Sequence, residues 1–61
     1  MFNYRVKMVD DYLGSVFTFS IDVKSKYLDR KCAEIAAREE FPSADVLKVD
    51  FLFREYGMEN L

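Results

Sequence analysis

Histidine and tryptophan are absent from the 61-residue chain, which has a single cysteine, one proline and two glycines. Without histidine the commonest general acid/base and metal ligand is missing, and the lone Cys32 can form no internal disulfide and has no imidazole to activate it. These absences argue against an enzyme, and neither a metal nor any other cofactor is expected. No apolar run approaches the ~20 residues of a membrane span, and the first residues lack the basic-then-apolar pattern of a signal peptide. The expected setting is therefore the cytoplasm, with Cys32 reduced and no membrane as partner. Nine Lys and Arg against eleven Asp and Glu leave a net charge of −2. That field is too weak to gather nucleic acid generally, and too weak for an acidic mimic of it.

Apolar residues are plentiful, at 51% of the chain with 16% aromatic, well outside the signature of disorder. A chain of 7.2 kDa hides only about 60% of its unfolded surface, so burial gain and ordering cost nearly cancel and good packing or a partner must tip the balance. The length fits one domain over residues 1–61, with 57–61 expected as a frayed tail.

Three stretches alternate apolar and polar residues at the period of a half-buried strand. Phe2, Tyr4, Val6 and Met8 share one face of the first, opposite Asn3, Arg5 and Lys7. Phe17, Phe19, Ile21 and Val23 line the second, over residues 16–24. Asp10-Asp11-Tyr12-Leu13-Gly14-Ser15 suits a turn, and pairing Val9 with Val16 sets Met8 beside Phe17, Val6 beside Phe19 and Tyr4 beside Ile21. The third stretch, 46–56, places Leu47, Val49, Phe51 and Phe53 inward and Lys48, Asp50, Leu52, Arg54 and Tyr56 outward before Gly57 breaks the pattern.

Between the second and third strands, Ser25 can cap a helix over about residues 26–41, where Leu28, Cys32, Ile35 and Ala36 recur at helical spacing and Pro42 supplies the stop. Its charges oppose the helix dipole, with Lys26, Arg30 and Lys31 at the start and Glu39 and Glu40 at the end. Either Glu34 or strand charges neutralise the basic group, or it is kept for a partner. Cys32 on the apolar stripe reads as core packing. The expected fold is α+β, β-β-α-β, a three-stranded sheet with one helix packed on one face. Sheet order 2-1-3 is preferred to 1-2-3 because it puts Tyr4, Val6 and Met8 centrally beneath the helix.

Asp22-Val23-Lys24 matches the D-x-K fragment of a metal-dependent nuclease, yet Asp10 and Asp11, its candidate partners, lie at the turn about 20 Å away. The open face pairs Arg5, Lys7 and Lys48 with hydroxyls and acids and offers no aromatic stacking platform. The positive signal is excess apolar surface. A ~24 Å helix leaves the end of the third strand uncovered, so Leu52, Phe53, Arg54 and Tyr56, with Tyr12 and Leu13 of the turn, are the candidate partner-binding residues.

Tyr4-Arg5-Val6-Lys7, Phe17-Thr18-Phe19-Ser20-Ile21 and the helix ending in Phe41-Pro42-Ser43-Ala44-Asp45-Val46 together resemble the small accessory proteins with which bacteriophages act on host machinery. One member of that group, a phage antitoxin that blocks a host mRNA-cleaving toxin, is similar in length and element order. The resemblance implies a non-enzymatic inhibitor or adaptor of a host protein and carries over no functional residue. Two other readings are a small nucleic-acid-binding regulator contacting its target through Arg5, Lys7, Lys26, Arg30, Lys31 and Lys48, and a structural or assembly subunit. Self-association as a two-fold homodimer is also expected, through Leu52, Phe53, Arg54 and Tyr56.

Overall fold

The computed structural model describes residues 1–56; the expected frayed tail, 57–61, lies outside the described residues. Strands β1 (Phe2–Tyr12) and β2 (Ser15–Ser25) are followed by helix α1 (Arg30–Glu40) and strand β3 (Asp45–Arg54). The sheet order is β2-β1-β3, and both outer strands run antiparallel to β1. The fold is thus α+β with an open three-stranded sheet, as its alternating stretches require.

Alternation along β1 holds from Tyr4 to Met8, which with Val6 are the three largest fully buried side chains, while Asn3 of the other face is buried as well. With Val23, Ala33, Ala37 and Ala44 they form the core, flanked by half-buried Phe2, Phe19, Ile21, Ala36, Val46 and Val49. Tyr4 meets Phe51 edge-on at 5.5 Å between ring centroids, a favoured aromatic arrangement.

The hairpin register differs from expectation by two residues. Met8 pairs with Phe19, Val6 with Ile21 and Tyr4 with Val23, and pairing continues without interruption to Tyr12 and Ser15. The loop is only Leu13-Gly14, whose φ values of +52° and +82° match the type I′ turn that fits the twist of paired strands. Because side chains alternate with period two, a two-residue slip leaves every apolar side chain on its expected face.

In β3 the parity itself changes. The register shifts between Lys7 and Met8 and between Asn3 and Tyr4, each time by one extra residue on β3, Leu47 and then Leu52. Val46, Val49 and Phe51 consequently face the helix opposite Met8, Val6 and Tyr4, while Leu47 is exposed and Phe53 falls opposite Asn3 on the other side of the sheet. The inward placement of Leu47 and Phe53 is therefore corrected by the two bulges. The pairing runs on past β3, since Met1 and Glu55 exchange reciprocal backbone bonds of 2.9 and 2.7 Å.

The helix is shorter than expected and rotated. Asp29, not Ser25, caps it, accepting from the Lys31 N–H at 2.9 Å. Ser25 instead accepts from Tyr27 N–H at 3.1 Å in a local turn. Ala33 and Ala37 are buried, whereas Ile35 and Leu28 are more than half exposed and Cys32 is half-buried. Only alanines let the helix axis approach a sheet whose own side chains, Tyr4 and Met8, already fill the space between the layers. At 11 residues the helix spans about 16 Å against about 36 Å for the hairpin strands.

Candidate functional site

The short helix leaves both ends of the long sheet bare, and the six residues expected to form one partner surface are divided between those ends. Tyr12 and Leu13 sit at the hairpin tip, while Arg54 pairs with Phe2 at the far end of β1. Ten residues of β1 separate the two groups, about 33 Å.

At the β3 end Phe53 and Tyr56 are 54% and 70% exposed, and part of the cluster is held together by Arg54. The Arg54 guanidinium lies over the rings of Phe2 and Tyr56, 5.4 and 4.7 Å from their centroids, a double cation–π contact. Phe2 in turn leans on Phe51 at 6.3 Å. On the opposite face, Lys24 reaches across β1 to Glu55 at 2.9 Å. This bridge lies over the row that contains Asn3, which is buried.

The hairpin end is different. β3 begins opposite Val9, so β1 and β2 run on beyond it as a two-stranded arm from Asp10 to Phe17. Tyr12, Leu13 and Val16 are 69%, 88% and 74% exposed, and Phe17 is 43% exposed despite stacking on Phe19 at 5.8 Å. The base of the arm is fastened to the turn after α1, where Ser43 Oγ donates to Asp10 Oδ2 at 2.7 Å. The other Asp10 oxygen accepts from Asp11 N–H at 2.8 Å. Between arm and turn lies an open hollow of about 580 Å³ lined by Asp10, Tyr12, Leu13, Phe17 and Ser43. The tie between Asp10 and Ser43, 33 positions apart, leaves no mark in local sequence patterning.

The six basic residues named from the sequence fall on two sides of the molecule. Arg5, Lys7 and Lys48 share the open sheet face, where acids accompany them. Arg5 Nε donates to Asp22 Oδ1 at 2.9 Å, and Lys48 lies 3.6 Å from Asp50. The hydrogen bond from Arg5 holds the Asp22 carboxyl below its ordinary range, and the same partner raises the Arg5 guanidinium. Lys7 faces Lys48 directly, a repulsive cross-strand pair. Lys26, Arg30 and Lys31 lie before and within the first helical turn and make no ion pair among the described residues. Glu34 pairs instead with Arg38 at 3.1 Å. Arg30 and Lys48 do meet, with Glu34 and Asp50, around a hollow of about 570 Å³ between helix and β3. Cations and anions thus alternate there.

Asp22 pairs with Arg5, and not with Asn3 as the expected register implied, while Asp10 pairs with Phe17. Five residues, about 17 Å, still separate Asp22 from Asp10 along the hairpin. Among the described residues no group of three or more Cys, Asp or Glu is placed to hold a metal ion, and no helix is long and apolar enough to cross a membrane.

Fold and surface together define a small α+β protein with an open antiparallel sheet and a projecting apolar hairpin. Comparison with family models, curated proteins and solved structures finds no match.

Proposed function

We propose that the chain is a non-catalytic protein-binding module that inhibits or redirects a host protein, as phage accessory proteins do. One observation carries the reading: the hairpin arm ends in Tyr12, Leu13 and Val16, all more than two-thirds exposed. Large apolar side chains grouped at a projecting tip mark an interface. The tip is also strained, because Leu13 holds a left-handed φ of +52° that glycine or asparagine adopts far more readily. A leucine kept in that conformation with almost no contact of its own is suited to contact another molecule.

The test is affinity capture from nuclease-treated host lysate, washed at low and high salt. The reading predicts a protein recovered in stoichiometric amount, retained at high salt, and lost with Leu13→Asp. Recovery of nothing stoichiometric refutes it. Recovery, from a parallel lysate without nuclease, of nucleic acid that disappears steeply with salt would favour the regulator using Arg5, Lys7 and Lys48 instead.

A further inference from the structure

The outer edge of β2 is long, regular and self-complementary, and we infer that it pairs with the same edge of a second copy to make a six-stranded sheet. Direction of the edge groups comes first. Met1 and Glu55 exchange both backbone bonds, which makes the odd-numbered residues of β1 those that bond to β3. The even ones, from Phe2 to Tyr12, therefore bond to β2 through its odd-numbered residues, Ser15 to Ser25. The type I′ turn closed by Tyr12 and Ser15 requires the same alternation. Val16, Thr18, Ser20, Asp22 and Lys24 are left with N–H and C=O directed away from the sheet, and they take part in no other backbone bond among the described residues.

β3 offers a poorer edge. Its two bulges break the row, and Asp45, Lys48, Asp50 and Arg54 punctuate it with charge. The β1–β2 ladder has no register shift over its 11 pairs. A second copy joined antiparallel to β2 must set even residues against even ones to use the free groups, which restricts the register to steps of two. Centring the two-fold axis on Ser20 overlaps the whole strand.

In that register Phe19 faces Ile21 of the copy and Phe17 faces Val23 on the helix side, while Thr18 faces Asp22 and Val16 faces Lys24 on the open side. On the helix side apolar residues meet apolar ones, and on neither side does a charge meet its like. The neighbouring registers, centred on Phe19 or Ile21, shorten the overlap from eleven positions to nine, and moving the axis on to Asp22 would also oppose two carboxylates. Full pairing supplies about ten backbone hydrogen bonds between chains. It also covers the exposed flank of Phe17 and extends the aromatic row in which Phe19 meets Phe41 at 5.0 Å. The contact lies along β2 and not at the end of β3, and it does not depend on the docking role of the hairpin tip.

Two measurements test the pairing. Sedimentation of the wild-type chain at micromolar concentration is expected to give a dimer. Ser20→Asp is expected to raise the dimer Kd at least ten-fold while keeping the monomer folded, since the new carboxylate lies opposite Lys7 within the chain and opposite its own copy across the axis. Independently, in a Cys32→Ala background, Ser20→Cys is expected to form a disulfide-linked dimer at least ten-fold faster than Thr18→Cys, whose two copies would stand about 13 Å apart along the strand. A monomeric wild type, a Ser20→Asp dimer of unchanged affinity, or equal oxidation rates at positions 18 and 20 would each overturn the inference.

Discussion

Replacing Leu13 by asparagine should make the protein more stable. Leu13 is 88% exposed and contributes almost no burial, yet holds φ at +52° in the first position of a type I′ turn. The left-handed region costs an ordinary L-residue roughly 1–2 kcal/mol, and asparagine followed by glycine is the preferred sequence for this turn. Relief of about 1 kcal/mol is expected, against a total of about 3–9 kcal/mol for a chain this size. With a urea m-value near 1 kcal/mol/M for so small a domain, the midpoint should rise by about 1 M at unchanged slope. Gly14→Ala should move it the other way by a similar amount. A Cβ there meets nothing within 4 Å, so the penalty is the φ of +82° alone. Urea unfolding followed by circular dichroism decides the matter. A midpoint for Leu13→Asn that is unchanged or lower would refute the turn assignment and the strain it implies.

Three other outcomes follow from the packing and the charges. Met8→Ala removes a fully buried side chain at the sheet centre and should cost about 2–4 kcal/mol, a large share of the available stability, seen as a lowered and broadened thermal transition. Ile35→Lys, on the exposed back of the helix, should stay within about 0.5 kcal/mol of wild type, whereas Ala33→Leu overfills the helix–sheet contact and should cost about 1–3 kcal/mol; denaturant midpoints separate the two. Asp22, held low by Arg5, lends its stability above the ordinary aspartate pKa of about 3.9 and loses it as pH falls through the depressed folded-state value. The advantage of wild type over Asp22→Asn should accordingly be present at neutral pH and absent in strong acid, as paired unfolding curves would show.

Strand identity and the inward face of β1 are legible because strict alternation fixes the faces, whereas the order 2-1-3 rests on setting Tyr4, Val6 and Met8 centrally beneath the helix, since a right-handed crossover also fits 1-2-3. What escaped depended on single residues whose effect is not periodic. Leu13 gives no turn signal, so the sequence suggests a six-residue loop where two residues suffice. The bulges at Leu47 and Leu52 invert parity without any glycine to announce them. The helix stripe misled because Leu28 and Ile35 are the larger apolar residues, while the space above Tyr4 and Met8 admits only Ala33 and Ala37. The candidate surface rests on the overhang of the third strand beyond the helix, and its split between hairpin tip and β3 end follows from antiparallel pairing at full length. Asp10 as the anchor of the arm could be recognised only once Ser43 lay beside it.

The most direct test of the proposed docking role is the affinity of the protein recovered by the capture experiment for wild type and for Leu13→Asn, measured by titration calorimetry. The account predicts that the asparagine variant is the more stable protein and yet binds at least ten-fold more weakly. Equal affinity for the two would contradict it, since the strained leucine at the hairpin tip would then serve no partner.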